Sequence, residues 1–65
     1  MITVNGQKKP LESSTPFPEL LQSLGLGEKP VVVEHNGLAL SQAEAKELIV
    51  EPGDSLEIVV IAAGG

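Results

Sequence analysis

The chain has no cysteine, tryptophan or tyrosine, and only one phenylalanine, one methionine and one histidine in 65 residues. Without cysteine there are no disulfide staples, no thiolate metal site and no thiol to act as nucleophile or sulfur donor, which fits a reducing, cytoplasmic compartment. Phe17 alone cannot form the stacking platform that single-stranded nucleic acid requires. One histidine, His35, is a poor metal site by itself, and a nucleophilic triad lacks its parts. Basic residues are also few, four against nine acidic ones, for a net charge of −5. That balance argues against a phosphate-backbone partner and fits either solubility or docking onto a basic surface. No stretch approaches the ~20 apolar residues of a membrane span, and Met1-Ile2-Thr3-Val4-Asn5 lacks the basic and apolar regions of a signal peptide. The expectation is a soluble cytoplasmic protein with no nucleic-acid, membrane or metal partner.

What is present reads as a short series of elements. Ile2 and Val4 alternate with Thr3 and run into Asn5-Gly6, a two-residue hairpin signal because both positions tolerate φ > 0. Residues 1–12 therefore predict a hairpin whose second arm, Lys8 to Glu12, is polar, contains Pro10 and suits an edge. Thr15 before Pro16 predicts a helix start, with the hydroxyl as cap. Phe17, Leu20, Leu21 and Leu24 then form one apolar stripe at helical spacing. Gly25 suits a left-handed helix ending, with Leu26 folding back onto Leu21. Val31-Val32-Val33-Glu34 predicts a strand closed by Asn36-Gly37, and Leu38-Ala39-Leu40 a short continuation. Ser41 with Glu44 is a capping-box pattern opening a short helical segment that ends before Pro52. Pro52-Gly53-Asp54 predicts a turn, and Ser55 to Ile61 the most strand-like segment, with Leu56, Ile58 and Val60 on one face and Glu57, Val59 and Ile61 on the other.

This order, without alternation of strands and long helices, predicts an α+β fold in which a mixed sheet packs on one main helix. The final strand, being the most apolar, belongs in the centre of the sheet. A parallel neighbour in the first strand is allowed because a long crossover separates the two. This is the β-grasp, or ubiquitin-like, arrangement. Residues 1–61 are expected to form a single domain, and 62–65 a flexible C-terminal tail.

Conventional chemistry is nearly absent. Glu44, Glu47 and Glu51 lie on segments that read as solvated, and no pattern makes any pair a general acid and base. Gly25 and Gly27 follow a helix without opening a second one, so a phosphate loop is not indicated. The candidate working group is the last carboxylate. Gly64-Gly65 has no Cβ atoms, populates most of φ/ψ space and makes a thread thin enough for a narrow active site.

Val33-Glu34-His35-Asn36-Gly37, then Pro52-Gly53-Asp54-Ser55-Leu56-Glu57-Ile58-Val59, then Gly64-Gly65 resemble the pattern of the ThiS family, small sulfur carriers of thiamin thiazole biosynthesis. The resemblance spans the chain from Asn5-Gly6 to the tail. One departure is Leu40-Ser41-Gln42, where many relatives have a proline and a basic residue. The resemblance implies a carrier that is not itself an enzyme and binds no cofactor. An E1-like (ThiF-like) enzyme uses ATP to adenylate the terminal carboxylate, a sulfur donor protein supplies sulfur, and a thiazole synthase (ThiG-like) consumes the resulting thiocarboxylate. Carried over, Gly65 holds the reactive carbonyl, while Gly64, Ala63 and Ala62 thread it into the partner. Val59 and Ile61 are candidates for docking the activating enzyme, against ordinary strand packing as the alternative. Three other functions fit the same fold: the small subunit of molybdopterin synthase, a ubiquitin-like modifier conjugated to lysine, and a passive β-grasp binding module.

Overall fold

The computed structural model describes residues 1–61. The expected flexible tail, residues 62–65, lies outside the described residues. Two antiparallel strands, β1 (Ile2–Val4) and β2 (Gln7–Lys9), open the chain around Asn5-Gly6. The residues of that turn adopt φ of 51° and 83°, the left-handed values the dipeptide tolerates. The second arm is an edge strand as expected, but it ends at Lys9, ahead of Pro10. A two-residue strand, β3 (Thr15–Pro16), leads into helix α1 (Phe17–Ser23).

The helix begins one residue later than its capping signal predicts, and Thr15 does not cap it. The β3 backbone is committed to pairing with β6 (Ile49–Val50), and the Phe17 N–H donates to Leu48 O at 2.9 Å. The Thr15 hydroxyl instead donates to Ser13 O. The other helix end follows the sequence reading. Gly25 takes φ of 77°, its N–H donates to Gln22 O, and the Leu26 N–H reaches back to Leu21 O at 2.8 Å, a Schellman ending.

The remaining elements are β4 (Val31–His35), β5 (Leu38–Ala39), α2 (Gln42–Glu47), β6 and β7 (Ser55–Val60). Both hydrogen bonds of the Ser41–Glu44 capping box are formed. The sheet order is β2-β1-β7-β4-β5, with β7 parallel to β1 and antiparallel to β4. The last strand is therefore central, as its apolar content predicts. The two-strand sheet of β3 and β6 lies outside what the sequence signals show.

One apolar cluster lies between the five-stranded sheet and the helices. It contains Ile2 and Val4 of β1, Val31 and Val33 of β4, Leu56 and Ile58 of β7, Phe17 and Leu20 of α1, Ala45 and Val50. Leu21 and Leu24 complete the helical stripe but are only half-buried, at its margin. Leu20 is 4% exposed at the centre. Leu20→Ala should lower unfolding stability by about 2–5 kcal/mol, because it removes apolar contact and leaves a cavity, and Leu21→Ala should cost less. Urea denaturation monitored by circular dichroism checks the order; equal losses at the two positions would contradict this placement of the core.

Candidate functional site

The candidate functions that use the C-terminal carboxylate depend on where β7 leaves the sheet. Leu56 and Ile58 of β7 are anchored in the core, and its register with β4 runs from Leu56 opposite His35 to Val60 opposite Val31. One residue further, the Ile61 N–H donates to Pro30 O at 2.9 Å. Pro30 carries no N–H with which to answer the Ile61 carbonyl, and among the described residues the ladder ends there. Gly65, Gly64, Ala63 and Ala62 lie beyond this point, outside the described residues.

The alternation of β7 places Glu57, Val59 and Ile61 on the outer face of the sheet, away from α1. Val59 is 60% exposed and Ile61 45%. Val60 shares the inner-face parity of Leu56 and Ile58, yet it is 44% exposed, although its partner Val31 on β4 is buried. Register adds a residue that strand alternation alone did not single out: Val32 of β4 lies directly opposite Val59 and is exposed too. Val32, Val59 and Ile61 thus form an apolar strip leading to the exit. Ala39 and Leu40 border the groove beside it. Glu34 and Glu57 face each other across the same strands, so the strip is flanked by negative charge.

His35 belongs to a structural tie at the opposite end of β7. Its Nε2 lies 2.7 Å from Asp54 Oδ2, and Asn36 Nδ2 donates to Asp54 Oδ1 at 3.2 Å. Asp54 also accepts from the Glu51 N–H, which closes the turn before β7. Burial by itself raises the Asp54 pKa, but the hydrogen bonds from Glu51, His35 and Asn36 outweigh it, and its carboxyl titrates below its ordinary value. Among the described residues no group of three or more His, Cys, Asp or Glu is placed to hold a metal ion. No described helix is long and apolar enough to cross a membrane.

A mixed sheet wrapped on one helix, with the terminal strand at its centre and an apolar strip beside the exit, defines a β-grasp protein. Its sequence matches the ThiS family over residues 2–65. It is 34% identical over the full length of both chains to the sulfur carrier protein ThiS of Thermus thermophilus. Its fold superposes on the crystal structure of a thiamine biosynthesis protein (ThiS) from Geobacter metallireducens with a TM-score of 0.78 at 31% identity, covering 98% of this chain and 97% of that one. The solution structure of a thiamine biosynthesis protein from the same organism gives 0.74. The chain is also 31% identical over 64 residues to a thiazole synthase of Paramagnetospirillum magneticum, of which it spans 20%. The chain belongs to the ThiS family. It is thereby a carrier and not a catalyst.

The Asp54 tie carries a pH dependence. A carboxyl whose folded pKa is depressed stabilises the fold above its unfolded pKa of roughly 3.9, and that contribution is lost as pH falls through the folded value. Below about pH 4 the denaturation midpoint should therefore fall. Asp54→Asn, which cannot titrate, should lower stability at neutral pH and flatten this part of the acid limb. An acid limb of unchanged steepness in the variant would count against the assignment.

Proposed function

We propose that this chain carries sulfur as a thiocarboxylate on Gly65 and delivers it to thiazole formation. The ThiS membership carries this reading, and the position of β7 supports it: a strand anchored in the core runs directly into the glycine thread. A free carboxylate is a poor acyl donor. An E1-like enzyme overcomes this when the Gly65 carboxylate oxygen attacks the α-phosphorus of ATP and pyrophosphate leaves, giving an acyl adenylate. Hydrosulfide released by a donor protein then attacks the carbonyl carbon, AMP departs as the C–S bond forms, and loss of the S–H proton leaves the thiocarboxylate. The carrier has no thiol of its own, so the sulfur comes from outside. The match to part of a thiazole synthase fits a pathway in which such an enzyme consumes the product. ATP is bound by the activating enzyme, and the setting for this chemistry is the cytoplasm.

In this reading Gly64, Ala63 and Ala62 pass through a narrow channel, and the strip containing Val59 and Ile61 docks the activating enzyme. Molybdopterin synthase, lysine conjugation and passive binding have no observation in their favour to set against the family match.

Two experiments test the reading. Incubation with the cognate activating enzyme, ATP and a sulfur donor should give the intact-mass change of one oxygen replaced by one sulfur. Gly64→Val, which adds bulk to the thread, and deletion of Gly65, which withdraws the carboxylate, should both abolish that change while leaving the denaturation midpoint untouched. If the parent gains no sulfur from an enzyme of demonstrated activity, or either variant supports ATP–pyrophosphate exchange at the parental rate, the thread does not act this way.

Val59→Glu combined with Ile61→Glu should raise the carrier concentration needed for half-maximal activation. The folded state should survive, because both side chains lie outside the core. Activation at parental concentrations would remove the strip from the docking surface, and unfolding of the variant would mean the wrong face has been assigned to solvent.

A further inference from the structure

The two Asn-Gly dipeptides do more than turn the chain. Asn5 and Asn36 both sit at φ of 51°, and each directs its side-chain amide at β7, from opposite edges. Strand β1 pairs with β7 only through Thr3 and Val4, and the Asn5 N–H donates to Leu56 O at 2.9 Å as β1 turns away. The next rung is made by a side chain. The Ile58 N–H donates to Asn5 Oδ1 at 2.7 Å, and Asn5 Nδ2 donates to Ile58 O at 3.0 Å. Both backbone groups of Ile58 are thus satisfied by a residue 53 positions away. Asn36 makes the matching clamp at the start of β7: its N–H donates to Ser55 O, and its Oδ1 accepts from the Ser55 N–H, both at 2.8 Å.

We propose that Asn5 is a positioning residue for the reaction at Gly65. It extends the rigid part of β7 from Leu56 to Ile58, three residues before the last ladder bond at Ile61, and so fixes the direction in which the thread leaves the domain. The inference rests on the carrier reading above. Without the Asn5 rung, the end of β7 is held on one edge only, by β4 and Pro30. The carboxylate then samples more orientations when the carrier is docked, and fewer of them reach the α-phosphorus in line. Docking itself is unaffected, because Val32, Val59 and Ile61 are on the sheet face and not on this edge.

Asn5→Gly isolates the effect. Gly-Gly supports the same turn, so the hairpin is retained while the side-chain rung is lost. In ATP–pyrophosphate exchange with the cognate activating enzyme, the rate at saturating carrier should fall by about tenfold with little change in the half-saturating concentration. Hydrogen exchange at the Ile58 amide should quicken. Asn5→Asp keeps an acceptor for the Ile58 N–H but cannot donate to Ile58 O, so it should fall between parent and Asn5→Gly; if Asn5→Gly fails to fold, this variant decides. Asn36→Gly is the control. It removes the clamp at Ser55 together with a bond to Asp54, and so should destabilise the domain at least as much, yet it should keep the parental saturating rate well below its unfolding temperature. A parental saturating rate in the Asn5 variants, an equal fall in Asn36→Gly, or a change confined to the half-saturating concentration would overturn the proposal. If the parent gains no sulfur, the carrier reading fails and this inference with it; if the parent is activated and the Asn5 variants match it, only this inference fails.

Discussion

The structure depends on holding its last strand in the middle of the sheet. With no disulfide and a single aromatic side chain, a chain of 65 residues has few means of stabilisation beyond its apolar cluster. Leu56 and Ile58 of β7 supply the centre of that cluster, with β1 on one side and β4 on the other. Because β1 and β7 are parallel, hairpin closure cannot join them; the intervening chain must cross over, and it carries α1 across the inner face as it does so. The helix, the β4–β5 hairpin and the short β3–β6 pair are therefore arranged around a strand that the chain supplies last.

This arrangement separates two demands by face and by end. The inner face of β7 is committed to stability and the outer face is left to contacts, so an apolar strip at Val32, Val59 and Ile61 can remain in water without weakening the core. Exposure of a few apolar side chains costs the fold little, and it leaves a surface another protein can cover. No cleft of catalytic groups is needed in a carrier of this kind. In the proposed function the activating enzyme would supply the leaving group and the donor the sulfur, which leaves the carrier to provide the acyl group.

Much of the fold was legible because its signals are local. Asn5-Gly6, Asn36-Gly37, the Ser41–Glu44 box and Gly25 each specify a backbone conformation within a few residues, and the alternation from Leu56 to Ile61 separates two faces. Non-local pairing was not legible. The β3–β6 pair joins two-residue segments more than thirty positions apart, too short for any periodicity, and it overrides the capping role that Thr15 would otherwise take. At the candidate site, Val59 and Ile61 follow from alternation, whereas adding Val32 required the register of β4 on β7. The tie among His35, Asp54 and Asn36 depends on two turns meeting in space, so the sequence showed only that His35 flanks a turn. The glycine thread was the clearest functional signal in the sequence, and it lies outside the described residues.

Constraint is graded along β7. At Ser55 the strand is gripped by the Asn36 clamp and by a turn in which Asp54 collects three donors. In the middle, Leu56 and Ile58 are buried and both edges are paired. Among the described residues, nothing pairs with β7 beyond Ile58 on the β1 side, and at Ile61 the β4 side contributes one bond from a residue that cannot return a second. A proline at this position thus ends the ladder without a bulge, a charge or a change of sheet order. Had residue 30 carried an N–H, the Ile61 carbonyl would have had a partner and the ladder would have closed one bond nearer the terminus. Pro30 thus marks the last bond of the described β4–β7 ladder, at Ile61.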